Sequence, residues 1–283
     1  MTRRQVAKFG RDLGPDVLAA CQAMFAEEQQ PFAQAQPASA RDVAYGPDER
    51  QKLDLYRLAA ERPRPVLLWV HGGGFLRGDK AAEGSPFNAH VGRWAARNGQ
   101  VGAVMNYRLA PASQWPSGVE DVAAAVEWLR RDGRAHGIDP DRVVLAGTSA
   151  GAVHIAGYLA AHRDAPVSGA VLLSGLYGFT PLEERDSLYY GPPSDYPARM
   201  PRDGIVASDV PLFVACAEYD PPRFQAETLG LLQARLERHG VMPSAMIVGG
   251  HNHYTLAMHI GGSDTRLADE ILAFIGDITG ASQ

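Results

Sequence analysis

Chemistry in this chain gathers around one serine. Ser149 stands at the centre of Gly147-Thr-Ser-Ala-Gly151, directly after the apolar run Val143–Ala146 and directly before a helical pattern, Val153–His162. Strand, tight turn and helix with a serine at the bend is an arrangement that lifts a hydroxyl above a sheet edge. The free N–H groups of a helix start then lie beside it. The bend holds the serine in a strained backbone conformation, and the residues two positions away on each side must be small for strand and helix to approach. A serine hydroxyl is a weak nucleophile near neutral pH. It needs a base within hydrogen-bond reach and a third group to orient that base.

The partners must come from loops at the same end of the sheet. Asp220, in Glu218-Tyr-Asp-Pro-Pro222 after the apolar run Leu212–Ala217, is the preferred acid. Glu218 is its rival, and a helix-capping carboxylate ahead of Phe224–His239 is the plain structural alternative. The base is sought in Gly249-Gly-His-Asn-His-Tyr254, where His253 is preferred over His251. Two histidines at that spacing share one face of a strand and invite a zinc reading. No third ligand with suitable spacing accompanies them, so no metal is expected. Serine, acid and base then follow one another in the order Ser149, Asp220, His253, which is the order of α/β-hydrolases and differs from those of chymotrypsin and subtilisin.

Attack on a carbonyl also needs a place for negative charge. His71-Gly-Gly-Gly74 directly follows the apolar run Val66–Val70, and its glycines let backbone N–H groups point at one spot. With the N–H of Ala150 this makes a preorganised oxyanion hole, in which loss of one donor typically costs about 10²–10³ in rate. His71 reads as a residue that holds the loop.

The elements that must position these groups alternate between strand and helix. Asp42–Tyr45 and Lys52–Tyr56 read as a hairpin at a sheet edge, separated by Gly46-Pro47-Asp48. Val66–Val70, Val101–Met105, Val143–Ala146, Ala170–Leu173, Leu212–Ala217 and Ala245–Val248 read as strands; Phe87–Arg97, Val119–Arg131, Phe224–His239 and Leu267–Ile278 read as helices. Such alternation implies an α/β fold with a mostly parallel sheet covered on both faces. Two stretches interrupt it. Residues 1–40 carry an apolar stripe (Val17, Leu18, Cys21, Met24, Phe25) and then a Gln/Ala/Pro segment, and read either as a helix strapped onto the domain or as part of a cap over the site. Residues of about 179–208 are rich in turn formers and aromatics and read as a lid insertion. The division is therefore an N-terminal helical segment, 1–40, and one domain, 41–283.

The combination of His71-Gly-Gly-Gly-Phe75, Asn106-Tyr-Arg-Leu-Ala-Pro111, Gly147-Thr-Ser-Ala-Gly151 and Tyr219-Asp-Pro resembles the esterase/lipase branch of the α/β-hydrolase superfamily, the hormone-sensitive-lipase-like carboxylesterases, over roughly residues 43–278. Pro222 in place of leucine after Asp-Pro, His-Asn-His-Tyr in place of His-Gly-Phe and a short Ser149-to-Asp220 interval resemble the related branch of kynurenine formamidases and feruloyl-type esterases. The resemblance implies an eight-stranded α/β-hydrolase sheet with a small cap from the N-terminus and the insertion, no cofactor, and oxyanion donors from Gly73, Gly74 and Ala150. Phe75, Tyr189, Tyr190 and Tyr254 are candidates to line the substrate pocket.

The activity these readings imply is hydrolysis of carboxylic esters, short-chain ones foremost, through an acyl-enzyme. An arylformamidase or other amidase on the same triad is the alternative, because ester and activated amide share a tetrahedral intermediate. A non-catalytic binding protein of the same fold is a third reading, disfavoured because all three triad positions are filled. Composition agrees with a globular enzyme, with 46% hydrophobic and 21% charged residues. A net charge of −5 without a polybasic stripe argues against nucleic acid or an anionic membrane as partner. The expected partner is a small ester, and a homodimer is compatible with the sequence. No apolar run is long enough for a membrane span. The first ten residues carry charge without an apolar stretch behind it, and two distant cysteines, Cys21 and Cys216, suit a reducing compartment, so a cytoplasmic location is expected.

Overall fold

The apolar runs pair into one sheet of eight strands. In this computed structural model residues 3–280 are described. Helices α1 (Arg3–Ala7) and α2 (Pro15–Ala35) precede the hairpin of β1 (Ala40–Ala44) and β2 (Lys52–Tyr56). Then β3 (Arg64–Val70), α3 (Ala89–Arg97), β4 (Val101–Met105), α4 (Ser117–Asp132), β5 (Ile138–Thr148), α5 (Ala150–Ala161) and β6 (Gly169–Leu173) alternate. An insertion with α6 (Ser187–Tyr190), α7 (Tyr196–Arg199) and α8 (Arg202–Ala207) leads to β7 (Leu212–Tyr219), α9 (Pro222–His239), β8 (Ser244–Asn252), α10 (Thr255–Met258) and α11 (Arg266–Thr279). In the sheet order β1-β2-β4-β3-β5-β6-β7-β8, β1 pairs with β2, and β2 with β4, antiparallel; all further pairings from β4 to β8 are parallel.

The period of two along each strand divides the core into two layers. Val66, Leu68, Val70, Val143, Leu145, Ala170 and Leu172 face α4, α5 and α9; their neighbours Leu67, Trp69, Val144, Ala146, Val171 and Leu173 face α3 and α11. Central strands covered on both faces carry continuous apolar sequence for this reason. Each such side chain contributes about 1.5–3 kcal/mol by leaving water. α9 ends where its sequence says it should, at Gly240 in the left-handed conformation with φ 74°.

α2 begins with proline at its first turn and runs on through Pro31 to Ala35, well past the apolar stripe that marks its start. It is held by tertiary contacts. Gln29 Nε2, buried, donates to the carbonyls of Met258 (3.1 Å) and Ile260 (3.0 Å), and the Arg97 guanidinium lies 4.0 Å from the Phe32 ring centre. The insertion is fixed by one carboxylate. Buried Glu227 on α9 accepts the backbone N–H groups of Tyr177, Gly178, Phe179 and Thr180 at 2.6–3.1 Å and the Thr180 hydroxyl as well. Arg223 adds an ion pair to Asp186 at 2.8 Å, and Trp115 N–H donates to the Tyr189 carbonyl at 2.8 Å. Among the described residues no helix is long and apolar enough to cross a membrane.

Candidate active site

Five strands end at the same edge of the sheet, and the residue that follows each one is a polar side chain. His71 follows β3, Ser149 follows β5, Ser174 follows β6, Asp220 follows β7 and His253 follows β8. Parallel pairing places these ends side by side: Thr148 opposite Leu173, Leu173 opposite Ala215, Tyr219 opposite Asn252. The fold thus gathers residues that the sequence separates by up to 182 positions.

Ser149 has φ 52° and ψ −122°, a region an L-residue enters at a cost on the order of 1–3 kcal/mol. The bend is over-determined. Ser149 N–H donates to the Leu173 carbonyl at 2.8 Å, and α5 starts at the next residue. A Cβ on Gly151 would lie 2.0 Å from the Val70 carbonyl oxygen, so only glycine lets α5 close on β3. The Ser149 hydroxyl is partly exposed and has no hydrogen-bond partner among the described residues.

Asp220 is fully buried, and its charge is met on every side. Oδ1 accepts from His253 Nδ1 at 2.7 Å; Oδ2 accepts from the Ser174 hydroxyl at 2.5 Å and from Ala217 N–H at 2.6 Å. A carboxylate only accepts, so this contact assigns the imidazole proton to Nδ1 and leaves the Nε2 lone pair free to act as a base. The Phe224 ring lies 4.3 Å from the His253 ring, centre to centre, and limits its swing. Arg11, from the N-terminal segment, donates to the Asp220 carbonyl at 2.6 Å.

The rival residues are occupied elsewhere. Glu218 accepts Gly250 N–H at 2.7 Å and so splints β7 to β8. His251 lies inside β8, with Nε2 3.2 Å from Asp264 Oδ2, Nδ1 3.2 Å from Thr255 Oγ1 and its ring stacked on His259 at 3.8 Å. Burial pushes its pKa down, against the opposing pull of Asp264. The strand ends between the two histidines, so they do not share one face and take different carboxylates. Among the described residues no group of three or more His, Cys, Asp and Glu side chains is placed to hold a metal ion.

The loop after β3 brings main-chain donors to the same place. Gly73 and Gly74 have φ 134° and 61°, and among the described residues no acceptor takes their N–H groups or that of Ala150. Gly72 lies against Ser149: a Cβ there would stand 3.3 Å from that of the serine. His71 is buried, with Nδ1 2.7 Å from the Gly72 carbonyl and its ring stacked on Tyr107; burial pushes its pKa down to about 4.

With this geometry in view, the chain can be set beside known proteins. Residues 53–171 match the BD-FAE family. The esterase of the archaeon Pyrobaculum calidifontis superposes with a TM-score of 0.72 at 22% identity, covering 99% of this chain and 98% of that one. A thermostable esterase from Pseudomonas putida ECU1011 gives 0.73 at 19% identity, covering 99% and 95%. This chain has the α/β-hydrolase fold. In sequence it is 26% identical to Esterase LipQ of Mycobacterium tuberculosis over 273 residues, 86% of this chain and 63% of that protein. It is 34% identical to a probable isoprenylcysteine alpha-carbonyl methylesterase of Oryza sativa over 131 residues, 46% of this chain and 29% of that protein. The chain thus spans less than two thirds of the length of these curated relatives.

The candidate pocket residues of this chain separate into two groups. Phe75, Tyr189 and Tyr190 are buried in one cluster with Ala150, Val153 and Phe224, and Leu13 of the N-terminal segment packs on it. Tyr254 packs instead with Cys21, Phe25, Phe87 and Met258, and its hydroxyl donates to the Leu13 carbonyl. Both cysteines are buried and free, and burial raises the Cys216 thiol to about 11, which leaves it unreactive at neutral pH.

Several supporting residues escaped the sequence reading. Asp121 is fully buried and accepts from Arg108 N–H (2.7 Å), Arg108 Nε (2.8 Å) and Gln51 Nε2 (2.8 Å). It anchors the loop Asn106–Pro111, which in turn holds the glycine loop. The Tyr107 hydroxyl donates to the His71 carbonyl at 3.0 Å and Ala110 N–H to the Phe75 carbonyl at 3.0 Å. The motif Asn106-Tyr-Arg-Leu-Ala-Pro111 was the visible signal, but its mechanical task was not. Ser174 carried no signal at all beyond its place after a strand.

Proposed function

We propose that this α/β-hydrolase is a serine carboxylesterase with Ser149 as nucleophile, His253 as base and Asp220 as the group that orients the base. The observation that carries the reading is the Asp220–His253 hydrogen bond at the sheet edge where Ser149 stands, across from unpartnered main-chain N–H groups. His253 Nε2 takes the serine proton as Ser149 Oγ attacks the carbonyl carbon. The N–H groups of Gly73, Gly74 and Ala150 receive the oxyanion. His253 returns the proton to the departing alkoxide, and water then releases the acyl group by the reverse sequence. The serine-to-histidine hydrogen bond is a step this reading adds, since such contacts often tighten only when substrate is bound.

The relatives are named as esterases, which supports ester hydrolysis over a binding role. Phe75, Tyr189 and Tyr190 fill the space beside Ala150, which favours a short acyl group. Leu13 from the N-terminal segment and the two tyrosines from the insertion pack on the same cluster, and we assign both segments to a roof over the site. The test is kcat/KM on p-nitrophenyl acetate: Ser149→Ala should lower kcat by about 10⁶ while leaving the thermal midpoint close to that of the parent. Retention of most turnover in a folded Ser149→Ala protein refutes the assignment.

A further inference from the structure

Five rings form a block around the loop that carries the proposed oxyanion donors. His71 stacks on Tyr107 (4.4 Å between centres, 25° between planes), and Phe75 stacks on Tyr189 (4.5 Å, 7°). His154 sits between the two stacks and meets Tyr107 at 4.5 Å, Tyr189 at 5.3 Å and Phe75 at 5.4 Å, each edge to face. It comes from α5, five residues after Ser149, and is 1% exposed. The space was cut to fit it: a Cβ on Gly118, in the first turn of α4, would stand 2.2 Å from the imidazole Nδ1 and Cε1.

Its polar edge has one partner. Nδ1 lies 3.4 Å from the Tyr189 hydroxyl. Nε2 is buried and has no hydrogen-bond partner among the described residues. Burial foremost, and the neighbouring His71 next, push the His154 pKa down to about 3, so the ring is neutral near pH 7. It makes no hydrogen bond to Ser149, Asp220 or His253 among the described residues, and the catalytic sequence above does not use it.

What it touches is informative. Tyr107 donates its hydroxyl to the His71 carbonyl, at one end of Gly72–Gly74; Phe75, at the other end, has φ 68° and accepts Ala110 N–H. Both ends of the glycine segment are therefore pinned by residues in contact with His154. Tyr189 belongs to the insertion. We propose that His154 is a positioning residue for the oxyanion loop: wedged between Tyr107, Phe75 and Tyr189, it fixes the peptide planes of Gly73 and Gly74 and ties their alignment to the seating of the insertion. The inference rests on the esterase reading above. Histidine suits the task because its faces pack like an aromatic ring while Nδ1 meets the Tyr189 hydroxyl, a polar contact phenylalanine cannot make.

Donors that act on the oxyanion matter in the transition state and little in the ground state, so their misplacement lowers kcat and spares KM. The experiment measures kcat and KM on p-nitrophenyl acetate and the affinity for phenylboronic acid, whose tetrahedral serine adduct presents an oxygen to the same donors. His154→Phe should lower kcat about 10–100-fold with KM unchanged, a size expected for a misplacement of order 1 Å, and weaken the boronic acid in parallel. His154→Gln, which keeps an acceptor for Tyr189, should recover part of both losses, and Tyr189→Phe should show a smaller loss in the same direction. A folded His154→Phe protein with parental kcat and boronate affinity overturns the inference, as does a kcat loss without a boronate loss. Should His154→Phe fail to fold, Tyr189→Phe decides: unchanged kcat and boronate affinity overturn it. A parent enzyme that neither hydrolyses the ester nor binds the boronic acid refutes the esterase reading and this inference with it. An active parent with unaffected variants refutes only this inference.

Discussion

The two sides of Ser149 are built from different material. On the β3 side the proposed oxyanion donors are main-chain N–H groups, held by glycines at φ 134° and 61° and braced from behind by the Asn106–Pro111 loop. On the β7–β8 side the proposed base and its orienting acid are side chains, each the first residue after its strand, locked to one another through the buried Asp220 carboxylate. The contrast follows from what each side must do. Stabilising charge on oxygen needs fixed dipoles, which the backbone supplies without reorganisation. Moving a proton needs a group that can hold and release one, which only a side chain offers. A consequence is that point substitutions delete the proton-transfer side outright but can only distort the main-chain side.

That difference sets the order of expected losses. Replacing His253 by Ala should lower kcat by about 10⁶, and Asp220→Asn by about 10⁴ because the wrong tautomer is then favoured. His251→Asn, at the neighbouring histidine bound to Asp264, should leave ester turnover at the parental level, and a collapse there would move the base to residue 251. On the other side Gly73→Ala brings a Cβ to 1.8 Å from the Arg77 carbonyl oxygen, so the loop must shift. The expected loss is about 10²–10³ in kcat with KM nearly constant. An equal loss on both sides would erase the distinction drawn above.

A slower-acting contrast appears with pH. His71 and His90 are pushed down to about 4, and His154 and His259 to about 3, by burial in each case. In the unfolded chain a histidine takes up its proton near pH 6.5. Below that pH the unfolded state binds protons that the folded state refuses. Stability is therefore complete above about pH 6.5 and falls as pH drops toward 4, by up to about 1.4 kcal/mol per pH unit for each such histidine. Urea midpoints measured at pH 7.5, 6 and 5 should decline steeply across the last two. A flat profile would mean that these rings are hydrated in the folded protein.

The sheet was largely legible because buried parallel strands must be continuous apolar runs, and all eight strands coincide with stretches read as strands. The glycine loop proposed to receive the oxyanion stood out because glycine runs are rare and have few uses. The proton-transfer side was legible only in outline. The sequence prefers His253 over His251 without separating them, and their separation depends on where β8 ends and on Asp264, thirteen residues on from His251. Asp121 and Glu227 have helix positions that say nothing of burial; their partners come from residues 13 to 70 positions away. The insertion is made of helices of four to six residues, too short for any periodicity to register. α2 passes through Pro31 because Gln29 and Phe32 are anchored by distant residues, which no local pattern records.

The account turns on Ser149 being a nucleophile activated across the β7–β8 side. Treating the folded parent, Ser149→Ala and His253→Ala proteins with a fluorophosphonate and locating the adduct by peptide mass spectrometry tests this most directly. The account predicts rapid, stoichiometric modification of Ser149 in the parent, none in Ser149→Ala, and a rate reduced by several orders of magnitude in His253→Ala. Modification of a different residue, or equal rates in the parent and His253→Ala, would contradict it.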